Sequence, residues 1–168
     1  MPSHVLLVED SPGYVRLTEE AFREVDASIQ LHVVSDGVEA MEFLRREGRH
    51  ALAPRPDITL LDLNMPKMDG CEVLALIKQD ERLRMIPAII LTTSESDADI
   101  MKSYHLHANC YLSRPLEFDD LRTLVKSLVD FWLTKAKLPQ NNARLLQAAA
   151  YKRMSESERN LVRREGRT

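Results

Sequence analysis

The sequence has few cysteines, few glycines and few aromatic residues, and it lacks a long apolar run. Its 168 residues include two cysteines, five glycines, one tryptophan, four tyrosines and four phenylalanines. Cys71 and Cys110 lack the spacing of a metal motif, so we expect them to be packing residues. No apolar stretch approaches the ~20 residues that span a bilayer, and the N-terminus has no basic signal sequence. These absences predict a reduced, cytoplasmic protein without a membrane segment.

Composition fits one globular domain with a short addition, since 44% of the residues are hydrophobic and 29% are charged. The net charge of −3 is unevenly distributed: residues 1–134 carry −9 and residues 135–168 carry +6. This division favours either a tail that contacts an acidic surface, such as a second subunit, or a solvated helix. In the tail, 144–152 is helix-prone and 155–158 fits a capping box. We therefore predict one globular domain over 1–137 and a basic helical extension over 138–168.

Strand-like apolar runs alternate with amphipathic, helix-like segments over most of the chain. We predict strands at 4–8, 30–34, 57–61, 87–91 and 109–112. Helices are predicted at 12–25, from 38 to about 48, at 96–106 and at 117–136. A further predicted helix contains Val73, Leu74 and Ile77 and ends near Asp80. Because right-handed crossovers dominate such alternation, the prediction is an α/β fold: a doubly wound, five-stranded parallel sheet with helices on both faces.

Polar side chains stand where the predicted strands end. Glu9 and Asp10 follow the first strand, Asp62 follows the third, Thr92 ends the fourth, and Arg114 lies just beyond the fifth. The carboxyl ends of parallel strands open on one crevice, so we expect these side chains to meet there. A single acid after a strand is more often a turn residue or a helix cap. The whole set is hard to produce by accident and predicts a divalent-metal site beside a phosphate-sized space.

The predicted metal is Mg²⁺ or Mn²⁺, which prefer oxygen ligands and keep several waters. Asp10 and Asp62 are the expected direct ligands, Glu9 would help directly or through water, and the backbone carbonyl of Asn64 could add another oxygen. An aspartate placed between a metal and phosphate-binding groups can itself form an aspartyl-phosphate. Thr92 and Arg114 would then bind oxygens of the new phosphoryl group.

At these residues the chain resembles the receiver domains of two-component response regulators, over about residues 3–134. The resemblance lies in the segments 6–10, 61–66, 68–70, 91–92 and 111–115. It implies a flavodoxin-like receiver fold and phosphorylation of Asp62 by a histidine kinase. It also implies that Mg²⁺ is bound by Glu9, Asp10, Asp62 and the Asn64 carbonyl, and that Thr92 and Tyr111 form a switch pair.

A narrower resemblance is to the small response regulators of bacterial and cyanobacterial phytochromes. It rests on the segments 91–94, 103–106, 109–111, 131–133 and 138–139. It implies a sensor histidine kinase of the bacteriophytochrome type as partner. It also implies a homodimer formed by the fourth and fifth helices, the fifth strand and the C-terminal extension, with Phe131, Trp132, Leu133 and Pro139 at the interface. The alternative for Trp132 is that it caps the core.

One residue departs from the family, because Arg114 stands where these proteins normally carry lysine. Arginine is a planar fork of permanent charge, whereas lysine is a compact ammonium. The departure keeps open a phosphate-independent interaction module with a receiver fold. A hydrolase of the haloacid-dehalogenase type needs an acid at the position of Asn64, so we expect no enzyme beyond slow autodephosphorylation. The tail is too short for a winged helix and lacks interleaved aromatics, which argues against nucleic-acid binding.

Overall fold

The computed structural model describes residues 2–139, and in them five strands alternate with five α-helices. The strands are β1 (His4–Val8), β2 (Gln30–Val34), β3 (Ile58–Leu61), β4 (Ala88–Thr92) and β5 (Cys110–Ser113). The helices are α1 (Pro12–Val25), α2 (Gly37–Arg45), α3 (Gly70–Gln79), α4 (Asp97–His105) and α5 (Phe118–Leu128). A 3₁₀ turn at Gly48–His50 lies within the predicted loop before β3, and a π-helix, Val129–Lys135, continues α5.

All five strands run parallel in one sheet with the order β2-β1-β3-β4-β5. Every residue of β3 and β4 is buried, as their continuous apolar runs predict. The strand order reverses direction at β1, so β1 and β3 lie side by side although a helix, β2 and a second helix separate them in sequence. Crevices of such sheets form beyond the carboxyl ends at this reversal. The predicted doubly wound fold is confirmed.

The core lies in two layers, one on each face of the sheet. Successive residues of β1 alternate between them: Leu6 and Val8 pack with the apolar faces of α2 and α3, whereas Val5 and Leu7 pack with those of α1 and α5. Alternation with a period of two residues is the expected geometry of a strand that is covered on both faces. The two free cysteines, Cys71 and Cys110, lie buried and half-buried within these layers and act as packing residues.

The last helix extends as far as predicted, but its final turns are wider than those of an α-helix. In the π-helix the backbone N–H of Ala136 donates to the carbonyl of Phe131, five residues back, at 2.7 Å. Leu138 packs on the layer formed by α1 and α5. Beyond Pro139, the predicted extension with its helix-prone segment and capping box lies outside the described residues. Within residues 2–139, no helix is long and apolar enough to cross a membrane.

Candidate functional site

Three carboxylates converge beyond the carboxyl ends of β1 and β3. Glu9, Asp10 and Asp62 each offer one oxygen, and these oxygens lie within 4.8 Å of one another. The strand register brings them together, because Val8 pairs with Leu61 and the residues that follow are therefore neighbours. The Asp62 N–H donates to the Val8 carbonyl at 3.1 Å. Glu9 and Asp62 are buried whereas Asp10 is exposed, so the cluster opens to solvent on one side.

Asp62 stands in an environment that disfavours its charge when no cation is bound. Burial raises the pKa of Asp62 above its ordinary value, and the nearby charge of Asp10 acts in the same direction. The Thr92 hydroxyl and the backbone N–H groups of Leu63 and Asn64 oppose this shift by hydrogen bonding to the carboxylate. A buried carboxylate beside two others is costly unless a cation compensates it. The donor set, all hard oxygens, therefore fits an ion such as Mg²⁺.

Arg114 enters this acidic pocket from the end of β5. Its backbone N–H donates to the Thr92 carbonyl at 2.8 Å, which fixes the chain beside β4. Its guanidinium forms an ion pair with Glu9 and lies 3.5 Å from Asp62 Oδ2. On its other side, the guanidinium carbon lies 3.9 Å from the centroid of the Tyr14 ring. The structure thus brings Arg114 to the predicted place, and it adds Tyr14, which no sequence signal had singled out.

Thr92 and Tyr111 are joined through one loop rather than by direct contact. Thr92 is fully buried, and its hydroxyl accepts a hydrogen bond from the Ser94 N–H at 3.4 Å. The Tyr111 hydroxyl donates to the Ser94 carbonyl at 2.9 Å. The Tyr111 N–H in turn donates to the hydroxyl of Tyr104 in α4 at 3.2 Å. A displacement at Thr92 can therefore reach β5 and α4 through Ser94.

Gly70 allows α3 to start directly against the backbone of Asp62. A Cβ at this position would lie 2.2 Å from the Asp62 carbonyl oxygen, and the Gly70 N–H donates to the Leu63 carbonyl at 3.0 Å. Asp69 and Glu72 close a capping box that fixes this end of the helix. The only sequence signal for this contact is the residue type, since close backbone approach requires a glycine.

An open cleft of roughly 530 Å³ lies at this end of the sheet, and Asp10 is the member of the acidic cluster that lines it. Asp10 and Asn64 line the side of the cleft nearest β1 and β3. Asp99 and Lys102 line it from α4. The predicted side chains and the predicted space therefore occupy the same end of the sheet.

The predicted interface residues divide into two pairs. Phe131 and Pro139 are exposed, whereas Trp132 and Leu133 are half-buried and pack on the layer of α1 and α5. The rings of Phe131 and Trp132 meet edge to face with centroids 5.2 Å apart. Trp132 thus contacts the core directly, and Phe131 extends the same aromatic surface outward.

Comparison with known proteins gives consistent matches over this region. A family model described as "Response regulator receiver domain" matches residues 5–126. Response regulator Rcp1 of Synechocystis sp. is 44% identical over 138 residues, covering 82% of this chain and 94% of that protein.

Two solved structures resemble the fold closely. The phosphorylated cyanobacterial phytochrome response regulator RcpA superposes with a TM-score of 0.80 at 45% identity, covering 83% of this chain and 100% of that one. The Mn²⁺-bound form of response regulator Rcp1 gives a TM-score of 0.77 at 44% identity, again covering 83% and 100%. The region matched by the family model extends from β1 into α5 and contains the whole acidic pocket.

Proposed function

Since this chain belongs to the response regulator receiver domain family, we propose that Asp62 is the residue that accepts a phosphoryl group from a histidine kinase. The protein is a receiver-type response regulator of a two-component phosphorelay. The observation that carries the assignment is the buried Asp62 carboxylate, which lies within 4.8 Å of oxygens of Glu9 and Asp10 and 3.5 Å from the Arg114 guanidinium. No other acid among residues 2–139 belongs to a comparable cluster.

The proposed reaction is an in-line transfer to an Asp62 oxygen. That oxygen forms a bond to phosphorus while the bond between phosphorus and the kinase histidine nitrogen breaks. When bound, Mg²⁺ or Mn²⁺ would be held by Glu9, Asp10, Asp62 and the Asn64 carbonyl, and it supplies charge neutralisation on the phosphoryl oxygens. Slow hydrolysis of the resulting aspartyl-phosphate is the only other chemistry that we assign to the protein.

Thr92 and Arg114 would bind the phosphoryl group after transfer. The Thr92 hydroxyl lies on the Asp62 side of β4 and can donate to one oxygen. Arg114 can donate to another, because its guanidinium already lies 3.5 Å from Asp62. Once Thr92 turns towards the phosphoryl group, Ser94 loses one partner, and Tyr111 would respond through its bond to the Ser94 carbonyl. Thr92 and Tyr111 act together as the proposed switch.

The proposed output is a change in contacts between proteins in the cytoplasm. RcpA is a cyanobacterial phytochrome response regulator, so we infer that the partner kinase of this chain is a bacteriophytochrome-type light sensor. We also infer a homodimer that uses α4, β5, α5 and the C-terminal extension, with Phe131, Trp132, Leu133 and Pro139 at the interface. The exposed Phe131 ring beside Trp132 supports this surface, since large aromatic side chains often anchor interfaces.

A second candidate function is a phosphate-independent interaction module. The observation that favours it is the ion pair between Arg114 and Glu9, which already neutralises part of the acidic pocket without a cation. In that case the receiver fold would serve only as a scaffold for protein contacts. We expect neither membrane nor nucleic acid as a partner in either function.

The deciding experiment measures intact mass and oligomer size together. Wild type, Asp62→Asn and Asp97→Asn would be incubated with a small phosphodonor and Mg²⁺, and then with a phosphorylated phytochrome kinase. Asp97 is an acid on α4 outside the cluster and serves as the matched control. We expect a phosphoryl-sized mass gain in wild type and Asp97→Asn and none in Asp62→Asn. A folded wild type that binds Mg²⁺ but gains no mass from either donor would support the phosphate-independent module instead.

A further inference from the structure

The guanidinium of Arg114 is enclosed by contacts on several sides. It pairs with the buried Glu9 carboxylate, approaches Asp62 at 3.5 Å, and stacks 3.9 Å from the centroid of the Tyr14 ring. The Arg114 Nε atom is buried and has no hydrogen-bond partner within residues 2–139. The ion pair and the aromatic face therefore hold this side chain, with no help from a hydrogen bond to Nε.

Tyr14 contributes its ring face to this arrangement and not its hydroxyl. It lies in the first turn of α1, where its N–H donates to the N-cap oxygen of Ser11 at 3.4 Å. Its hydroxyl is buried and makes no hydrogen bond to any described residue. Burial raises the pKa of Tyr14, so the side chain stays neutral in the physiological range. A planar guanidinium can lie flat on such a ring, and desolvation strengthens the contact.

Both oxygens of Glu9 are already in use. Oε1 accepts a hydrogen bond from the Ser11 N–H at 3.0 Å, and Oε2 pairs with Arg114. Each carboxylate oxygen keeps a second lone pair, so these contacts do not by themselves exclude another ligand. A divalent cation that binds Glu9 directly would share this carboxylate with the Arg114 guanidinium and be repelled by its positive charge.

We propose that Tyr14 is a positioning residue that holds Arg114 on Glu9, and that Arg114 thereby competes with the divalent cation for this carboxylate. The inference rests on the proposed function only in taking the acidic pocket as the cation site. Arg114 thus acts as a built-in counter-ion of the cation-free pocket. Its release from Glu9 accompanies cation binding and frees the guanidinium for the phosphoryl group.

The test is a titration of the cation-free protein with Mn²⁺, in which free Mn²⁺ is counted by electron paramagnetic resonance. The set comprises wild type, Tyr14→Leu, Tyr14→Phe, Arg114→Gln and the double variant Tyr14→Leu/Arg114→Gln. Tyr14→Leu should tighten Mn²⁺ binding about three- to tenfold, the range expected from loss of a partly desolvated cation–π contact. Tyr14→Phe keeps the ring and should bind as wild type does. In the Arg114→Gln background, which has no cation over the ring, Tyr14→Leu should leave the affinity unchanged.

Two results would overturn the proposal. In one, Tyr14→Leu binds Mn²⁺ with the wild-type affinity; in the other, its effect is equally large in the Arg114→Gln background. The second result would mean that the ring acts on the pocket independently of Arg114. Circular dichroism of each variant shows whether it is folded. Because the titration needs no phosphoryl transfer, its failure is separate from a failure of Asp62 to be phosphorylated.

Discussion

The acidic pocket and the terminal π-helix differ in how far their functional side chains are buried. In the pocket, Glu9 and Asp62 are buried, and both are contacted by Arg114 from the same chain. In the terminal segment, Phe131 is 54% exposed and no described residue covers its outer face. The side chains of the pocket therefore contact one another within the described residues, whereas the outer face of Phe131 is left open for a partner.

The largest expected effect on stability comes from comparing a buried and an exposed side chain of the C-terminal helical region. Leu121 is 1% exposed, and Leu121→Ala should lower the free energy of unfolding by about 2 to 5 kcal/mol, because it leaves a cavity between α5 and the sheet. Phe131→Ala should change that free energy by less than about 0.5 kcal/mol in the monomer. Urea denaturation of dilute protein measures both.

The same Phe131→Ala variant should weaken self-association, which light scattering at higher concentration would show. If Phe131→Ala destabilises the monomer as strongly as Leu121→Ala, the outer ring belongs to the core and the proposed distinction fails. A wild-type oligomer size in Phe131→Ala would instead remove this ring from the interface.

The next effect concerns how tightly the pocket is built. Gly70→Ala should destabilise the protein by about 1 to 3 kcal/mol, since the new methyl group would meet the Asp62 carbonyl and push α3 away. The matched control is Gly13→Ala in α1, where nothing lies within 4 Å of the added Cβ. This control should be neutral or stabilising by up to about 1 kcal/mol. Thermal melts that show equal changes in the two variants would argue against a close approach at Gly70.

The smallest expected effect compares the loss of one negative charge in the pocket with the same loss in the terminal segment. In the absence of divalent cations, Asp10→Asn should stabilise the fold by on the order of 0.5 to 1 kcal/mol, because it removes repulsion from Glu9 and Asp62. The exposed control Asp130→Asn, which loses only a 3.8 Å contact with Lys126, should change stability less.

Saturating Mg²⁺ should reverse the order of wild type and Asp10→Asn, since a ligand that binds the folded state stabilises it. Denaturation with and without Mg²⁺ measures this sign change. If Mg²⁺ stabilises both proteins equally, Asp10 is not among its ligands.

Most of the fold could be predicted from local patterns. The continuous apolar runs at 58–61 and 88–92 predicted buried parallel strands, and the spacing of Leu121, Val125 and Leu128 predicted an amphipathic last helix. Placement of the acids at strand ends then predicted their convergence, because the sheet brings such ends together. These predictions succeeded because each depends on residues that are neighbours in sequence or in strand order.

The contacts that were missed depend on tertiary packing. Glu9 and Arg114 were expected in one crevice, but their direct ion pair across 105 positions was not predicted, and the ring of Tyr14 meets the guanidinium only after α1 and β5 have docked on the sheet. Likewise, the π-helix at Val129–Lys135 keeps the apolar pattern of an α-helix, so its wider turns leave no mark in the periodicity. Gly70 carried a signal in its residue type, but only the backbone of Asp62 shows what it allows.

The strand order also places the counter-ion of the pocket after the last strand of the chain. Glu9, Asp10 and Asp62 follow β1 and β3, whereas Arg114 follows β5 at the edge of the sheet. A chain that stops before β5 therefore contains all three acids but lacks the guanidinium that pairs with Glu9.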